Sequence, residues 1–454
     1  MLVCVIHEFY FMRYESETVI NNSYNPRQTI LASRNIRGSI LSADGEALAQ
    51  TVKSKEDGSE KRIYPYANLF SHVVGFSTKG KTGVENIGNM QLLNSHSSLG
   101  SKISNELSSE KNIGDNVVTT LNVAVQKEAY LALGAYDGAI IVTEPDTGKI
   151  IAMVSKPDFD PNEIVDIWDD LVDNTESSVL LNRATQGLYP PGSTFKIVTS
   201  LAYYRQNAAD VSRYSFNCNG SFTYEGNRIN CYHGSSHGSE DFKKSFAKSC
   251  NSSFANIGVS LDLAGLNSTC EDLLFNQDFK LDYTVANGKY VLGTNADSYD
   301  VMQTSIGQGK TQITPMQLNM ITCAVANKGN CMKPMVVDHV ESYEGNLVKQ
   351  YNPETYAELM TEDEAAFLTD LMTEVVKTGT ATRLQNDNYT AAGKTGSAEY
   401  NGNKADSHAW FTGFAPAEDP QVCVTIIVEG AGSGGEYAVP IAKRIFDAYF
   451  ASVD

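Results

Sequence analysis

The sequence predicts a mixed α/β (α+β) protein, in which a central antiparallel sheet is flanked by helices and preceded by a small β-rich domain. Three observations carry this. Two β-branched runs, 138–143 and 149–154, are joined by Glu144-Pro145-Asp146-Thr147-Gly148 and read as an antiparallel hairpin. Three more runs, 390–400, 408–415 and 421–429, are separated by short polar turns and read as a meander. Between and after them lie apolar patterns of helical period with clear start and stop signals.

At 454 residues the chain has room for two or three domains, each with its own core. A composition of 42% hydrophobic and 20% charged residues is that of a globular protein without low-complexity tracts. The net charge of −19, unbroken by any Lys/Arg cluster, argues against a nucleic-acid partner. The first twelve residues, MLVCVIHEFYFM, are apolar but too short to span a bilayer, and they lack a signal peptide's basic start and small-residue cleavage site. They read as the stub of a membrane anchor, with a first strand or helix as the alternative. Of eight cysteines no pair forms a C-x-x-C motif. Cys218 and Cys231 flank a polar loop and are candidates for a disulfide in an exported protein, whereas Cys250, Cys323 and Cys423 lie in apolar patterns typical of core thiols.

Taken in order, residues 34–91 hold short β-like runs, NIRGSILSADGEALAQT and KRIYPYANLFSHVVGF, with Asp44-Gly45 as a hairpin turn. Gly75-Phe76-Ser77-Thr78-Lys79-Gly80-Lys81-Thr82 matches the P-loop pattern letter for letter. No sustained helical period follows it, as phosphate binding on a helix N-terminus requires, so an NTPase is a minor alternative. Residues 92–116 are rich in Ser, Asn, Gly and Lys and read as a surface connection. Asn122 precedes a helix through Leu133, and the first hairpin follows. Pro190-Pro191-Gly192 then halts the chain before an apolar helical run, 195–204. Residues 241–247 and 254–261 form two helical pieces joined by Lys248-Ser249-Cys250-Asn251. Thr314-Pro315-Met316-Gln317 is a capping box opening a helix that ends near Gly329, Thr361-Glu362-Asp363-Glu364 opens another that runs to Lys377, and the last helix spans 439–451.

Ser193 falls at that first helix start and Lys196 three residues on, so hydroxyl and amine share a face. A serine beside a lysine able to shed its proton in a dry pocket is an activated nucleophile. Alone, Ser-x-x-Lys is a weak signal. It gains weight from Ser249-x-Asn251 at an inter-helix corner and Lys394-Thr395-Gly396 on a strand, in that order along the chain.

With these three motifs the chain resembles the penicillin-binding protein transpeptidases, more closely the monofunctional class B, penicillin-binding protein A-like type. YPPGSTFKI, SCNSSFANIG, SIGQGKTQITPMQ, AAGKTGSAEY and HAWFTGFAP all look like stretches of that family, and IRGSILSADGEALA and GFSTKGKTGVENIGN look like its N-terminal domain. The resemblance implies a serine β-lactamase/transpeptidase-like fold over 116–454, a non-catalytic dimerisation or pedestal domain over 25–115, and an anchor remnant at 1–24. It implies a D,D-transpeptidase that cross-links peptidoglycan on the extracytoplasmic face of a bacterial plasma membrane. Ser193 would attack the penultimate D-alanine of a stem peptide ending in D-Ala-D-Ala, with Lys196 as general base, neutral because the Lys394 ammonium lies near. Ser249 would relay a proton and Asn251 would orient Lys196. Lys394, Thr395 and Ser397 would hold the terminal carboxylate, Gly396 would leave room for the substrate along the strand, and the backbone N–H groups of Ser193 and Ser397 would form an oxyanion hole. β-Lactams would acylate the same serine. No cofactor is implied, and a membrane glycan polymerase is the expected partner. Ser397 stands where threonine is frequent in the family.

Rival readings are a serine β-lactamase or penicillin sensor on the same fold, and a catalytically silent cell-wall scaffold. Cys231, His233 and His237 are candidate metal ligands, but no fourth ligand is apparent in the sequence, so no metal is expected. Trp410 and Phe411 read as sheet packing, and His408 as a surface residue.

Overall fold

The computed structural model describes residues 26–174, 178–400 and 407–453. The expected anchor remnant at 1–24 lies outside them. Among the described residues no helix is long and apolar enough to cross a membrane. The chain divides into two compact units.

The first unit combines the chain up to Val123 with Asp158–Leu180 and Met335–Asn352. Its six-stranded sheet runs in the order Leu347–Gln350, Val337–Glu341, Asn116–Thr119, Ile40–Leu41, Ala47–Lys53, Glu60–Ile63. Asn116–Thr119 and Ile40–Leu41 pair in parallel at its centre, where Ile40 and Val117 are fully buried. The Asp44-Gly45 turn is present, with Gly45 at φ +83°. The β-like reading of 61–76 holds only for its start. Pro65 ends the strand, and Phe70, Val73 and Val74, spaced three and four apart, are buried along helical turns Ala67–Phe70 and Ser71–Val74. Against the sequence expectation a short helix, Gly83–Ile87, does open after Thr82, but helical turns precede the P-loop-like glycines where a strand is required, and on that ground the NTPase alternative falls. The surface connection contains an outward-lying helix, Leu99–Leu107, with no buried residue. Glu85, fully buried, pairs with Arg37 at 2.6 Å and Arg62 at 2.7 Å. Burial alone would raise its carboxyl pKa, but the two guanidiniums hold it below the ordinary value.

The second unit is built on a five-stranded antiparallel sheet. Its strands are β1 (Gly138–Thr143), β2 (Ile150–Lys156), β3 (Ala392–Glu399), β4 (Ser407–Ala415) and β5 (Val422–Val428), in the spatial order β3-β4-β5-β1-β2. The expected hairpin and meander are thus joined edge to edge through β5 and β1. Every residue of β1, β4 and β5 is buried, as strands covered on both faces are. Helices Pro315–Ala326 and Ala438–Val453 lie against the sheet. Thr314 accepts from the Gln317 N–H at the start of the first of these, and Thr361 with Glu364 forms a complete capping box on Glu362–Lys377. β3 is an edge strand, and this places the site.

The Cys218–Cys231 stretch, expected as a loop, is a hairpin of Ser221–Tyr224 and Asn227–Asn230. Its two-residue turn, Glu225-Gly226, has both φ values positive, +50° and +82°. Glutamate rarely marks that geometry, which hid the hairpin in the sequence.

Candidate active site

Ser193 sits in a 3-10 turn, Gly192–Phe195, and the α-helix α1 begins at Lys196 and runs to Asn207. In a 3-10 turn residues three apart eclipse, so Ser193 and Lys196 align more directly than an α-helix would align them. Two anchors fix the turn. The Trp410 indole N–H donates to Pro190 O at 3.1 Å, and the Gly192 N–H donates to Gly307 O at 2.9 Å. A Cβ on Gly307 would lie 1.8 Å from Gly192 O, so only glycine fits there.

Lys196 is fully buried. Its Nζ donates to Ser249 O at 2.7 Å, Asn251 Oδ1 at 2.8 Å and Ser249 Oγ at 3.2 Å. Lys394, on β3 and equally buried, donates to the same Ser249 Oγ at 2.9 Å and to Thr395 O at 3.1 Å. One hydroxyl therefore bridges two amines. Ser249 occupies the corner between helices α2 (Phe242–Ala247) and α3 (Asn251–Ser260), at φ +55°. A left-handed non-glycine residue costs roughly 1–3 kcal/mol, a strain that marks functional sites.

Burial lowers the Lys196 pKa to about 8, and burial followed by the charge of Lys196 drives Lys394 well down as well. Two ammoniums around one hydroxyl oppose each other, so at most one is charged in the resting cleft. Ser193 is partly exposed, and its Oγ makes no hydrogen bond among the described residues. It faces a cleft of about 650 Å³ together with Ser249, Asn251, Thr395, Gly396 and Ser397. All eight sequence-predicted residues thus surround or back one cavity.

Gly396 departs from the expectation. A Cβ there would meet Thr194 Cγ2 and Trp410 Cβ at 3.1 Å and Pro191 O at 3.2 Å. The space is taken by the turn that carries Ser193, not left for a ligand. The side chain of Thr395 is tied to Thr380, hydroxyl to hydroxyl at 2.5 Å, and Ser397 Oγ accepts from the Gly434 N–H at 3.3 Å. Thr380 and Gly434 carried no sequence signal, because each lies in a turn without a motif. His408 is not a surface residue: it is 8% exposed, stacked on Tyr400 at 4.3 Å and accepts at Nδ1 from the Gly430 N–H. Behind the serine turn, Glu429 accepts from Tyr189 OH at 2.6 Å and Arg183 Nε at 2.8 Å, a tie the sequence does not reveal.

Of the three candidate metal ligands, Cys231 and His237 come together and His233 stays out. Cys218 and Cys250 complete the group, with all four ligand atoms within 4.8 Å of one another. Cys218 and Cys231 are unbonded thiols, Sγ to Sγ 3.6 Å.

Residues 138–447 match the family model of the penicillin binding protein transpeptidase domain, and residues 37–117 that of the penicillin binding protein A dimerisation domain. The chain is 31% identical over 443 residues to a peptidoglycan D,D-transpeptidase, PbpA, of Mycolicibacterium smegmatis, covering 91% of this chain and 88% of that protein. A ceftriaxone acyl-enzyme complex of penicillin-binding protein A from M. tuberculosis superposes with a TM-score of 0.83 at 28% identity, covering 92% of this chain and 99% of that one. A D,D-transpeptidase domain of a peptidoglycan glycosyltransferase from Eggerthella lenta gives 0.81 at 29% identity, with the same coverage of both chains.

Proposed function

The chain belongs to the penicillin-binding protein transpeptidase family and is a peptidoglycan D,D-transpeptidase, and from that premise we propose a role for each residue around the cleft. The observation that carries the assignment is the Ser249 hydroxyl held between Lys196 and Lys394. Ser193 Oγ attacks the penultimate D-alanine carbonyl and passes its proton to Lys196. A neutral amine has two N–H donors and one lone pair. The contacts to Ser249 O and Asn251 Oδ1 use both donors, so in the neutral amine the 3.2 Å contact is one in which the Ser249 hydroxyl donates to the lone pair, and that bond gives way as the Ser193 proton arrives. The terminal carboxylate of the stem peptide docks beside Lys394, Thr395 and Ser397, favours the charged form of Lys394, and so drives charge off Lys196.

The peptide lies along the open edge of β3 as an added strand. Backbone N–H groups of Ser193 and Ser397 hold the oxyanion, each contributing about 3 kcal/mol to the transition state. As the C–N bond breaks, Ser249 hands the proton from Lys196 to the departing D-alanine amine. An amine of a second stem peptide then displaces Ser193 and forms the cross-link. β-Lactams stop at the acyl-enzyme, since they offer no small leaving group that vacates the cleft. The enzyme works on the outer face of the plasma membrane, with a glycan polymerase supplying the strands it joins.

The test is a fluorescent penicillin mixed with the purified chain and run on a denaturing gel. A long-lived adduct, absent in Ser193→Ala, is expected. Rapid loss of the label by hydrolysis would make the protein a β-lactamase, and no label at all would leave a scaffold.

A further inference from the structure

We propose that Cys218, Cys231, His237 and Cys250 bind one zinc ion, which fixes the Ser249–Asn251 corner from behind. The four residues come from separate places in the chain: a strand end, the residue after a hairpin, a turn, and the N-cap of α3. Their ligand atoms nonetheless share one point. Cys231 Sγ lies 3.6 Å from Cys218 Sγ and 3.8 Å from Cys250 Sγ, and Cys218 Sγ lies 3.3 Å from His237 Nδ1. Zn–S bonds of about 2.3 Å at tetrahedral angles put sulfurs about 3.8 Å apart, and a Zn–N bond of about 2.0 Å puts nitrogen about 3.5 Å from sulfur. Three of the cluster's six edges are within a few tenths of an ångström of these lengths, and the others lie within 4.8 Å. A disulfide would use two sulfurs at about 2.05 Å and leave the third stranded.

A further observation points to a cation. Each sulfur is placed to accept a backbone N–H: Cys218 from Gly220 at 3.5 Å, Cys231 from Ser252 at 3.4 Å and Cys250 from Ser253 at 3.4 Å. Such bonds favour thiolates and orient them, as the outer shell of a metal site does. Three thiolates and an imidazole select a soft ion such as zinc over magnesium or calcium, and a set closed by four protein ligands is structural, not catalytic. Binding releases three thiol protons to solvent.

The place of the site gives it consequence. Cys250 lies between Ser249 and Asn251, the two residues that grip Lys196. The ion would hold that strained corner without touching the substrate.

The full chain, purified without chelator, is expected to carry one zinc per molecule by plasma mass spectrometry, and Cys218→Ser and His237→Ala to lose it. Cobalt(II) in its place should give the intense visible bands of a tetrahedral site and a sulfur-to-metal charge-transfer band. Should the variants fail to fold, the cobalt spectrum of the unsubstituted chain decides. Absence of zinc and of those bands, or a disulfide between two of these cysteines by peptide mapping, overturns the site. Stripping the metal should slow penicillin acylation at least tenfold, with recovery on adding zinc; an unchanged rate overturns the positioning role. That second half rests on the transpeptidase reading. Zinc bound in a chain that never forms a penicillin adduct would overturn the transpeptidase and leave the metal site standing.

Discussion

At Lys196 the environment decides the chemistry. The amine is fully buried, its pKa is lowered to about 8 by burial, and its two shortest hydrogen bonds go to a carbonyl and an amide oxygen. As a base it works in the neutral form, which gains population above its pKa. Penicillin acylation should therefore rise with pH through about 8 and level off above, in stopped-flow measurements at fixed ionic strength; a flat profile from pH 6 to 9 would remove Lys196 from the role. The same shift has a stability sign. Folded Lys196 sheds its proton near 8 whereas the unfolded side chain keeps it to the ordinary 10.5, so its contribution to stability grows as pH rises between those values. By contrast, the Ser193 hydroxyl makes no hydrogen bond among the described residues, so Ser193→Ala should lose the adduct and keep its melting temperature, the change in stability staying within about 0.5 kcal/mol.

Among the elements, β3 and the Ser193 turn act as one unit. Gly396 gives the turn its room, and Trp410 on the neighbouring strand pins Pro190. Gly396→Ala forces a methyl against Thr194, Trp410 and Pro191. It should cost about 1–3 kcal/mol in stability and slow acylation more than it weakens substrate binding, a split readable from acylation kinetics beside thermal melts. Here the limits of the sequence are visible. Ser193, Lys196, Ser249, Asn251 and Lys394 were legible because each sits in a short motif on an element whose period or caps identify it. The hairpin and meander were legible because β-branched runs alternate with turn residues. The roles of Gly396, Thr380, His408 and the Cys218 cluster were not, since each depends on what a different segment brings alongside. The cysteines show this most clearly. Three thiols and a histidine spread over some thirty residues have no metal-binding spacing until two hairpins and a helix start bring them together.

For the whole molecule, the larger lesson is how the first unit is assembled. It takes Asp158–Leu180 and Met335–Asn352 from within the stretch that also builds the second unit. Phe159 and Ile164 from the first insert share a core cluster with Phe76, and Val337–Glu341 from the other pairs with Asn116–Thr119. The ends of the second insert lie side by side, the Lys333 N–H donating to Glu354 O at 2.8 Å. Met335–Asn352 can therefore be replaced by a short glycine linker. The first unit, stripped of two sheet strands, should become sensitive to limited proteolysis within residues 26–123, while the second should still form the penicillin adduct. Retained resistance would show those strands to be dispensable. The same pairing also sets a timetable for a newly made chain. A ribosome adding about 5–20 residues per second needs about 10–45 s to go from Thr119 to Val337. For that interval an apolar strand stands with one hydrogen-bonding side open, so a nascent chain of this kind gains from being held unfolded by a chaperone until its late strands arrive.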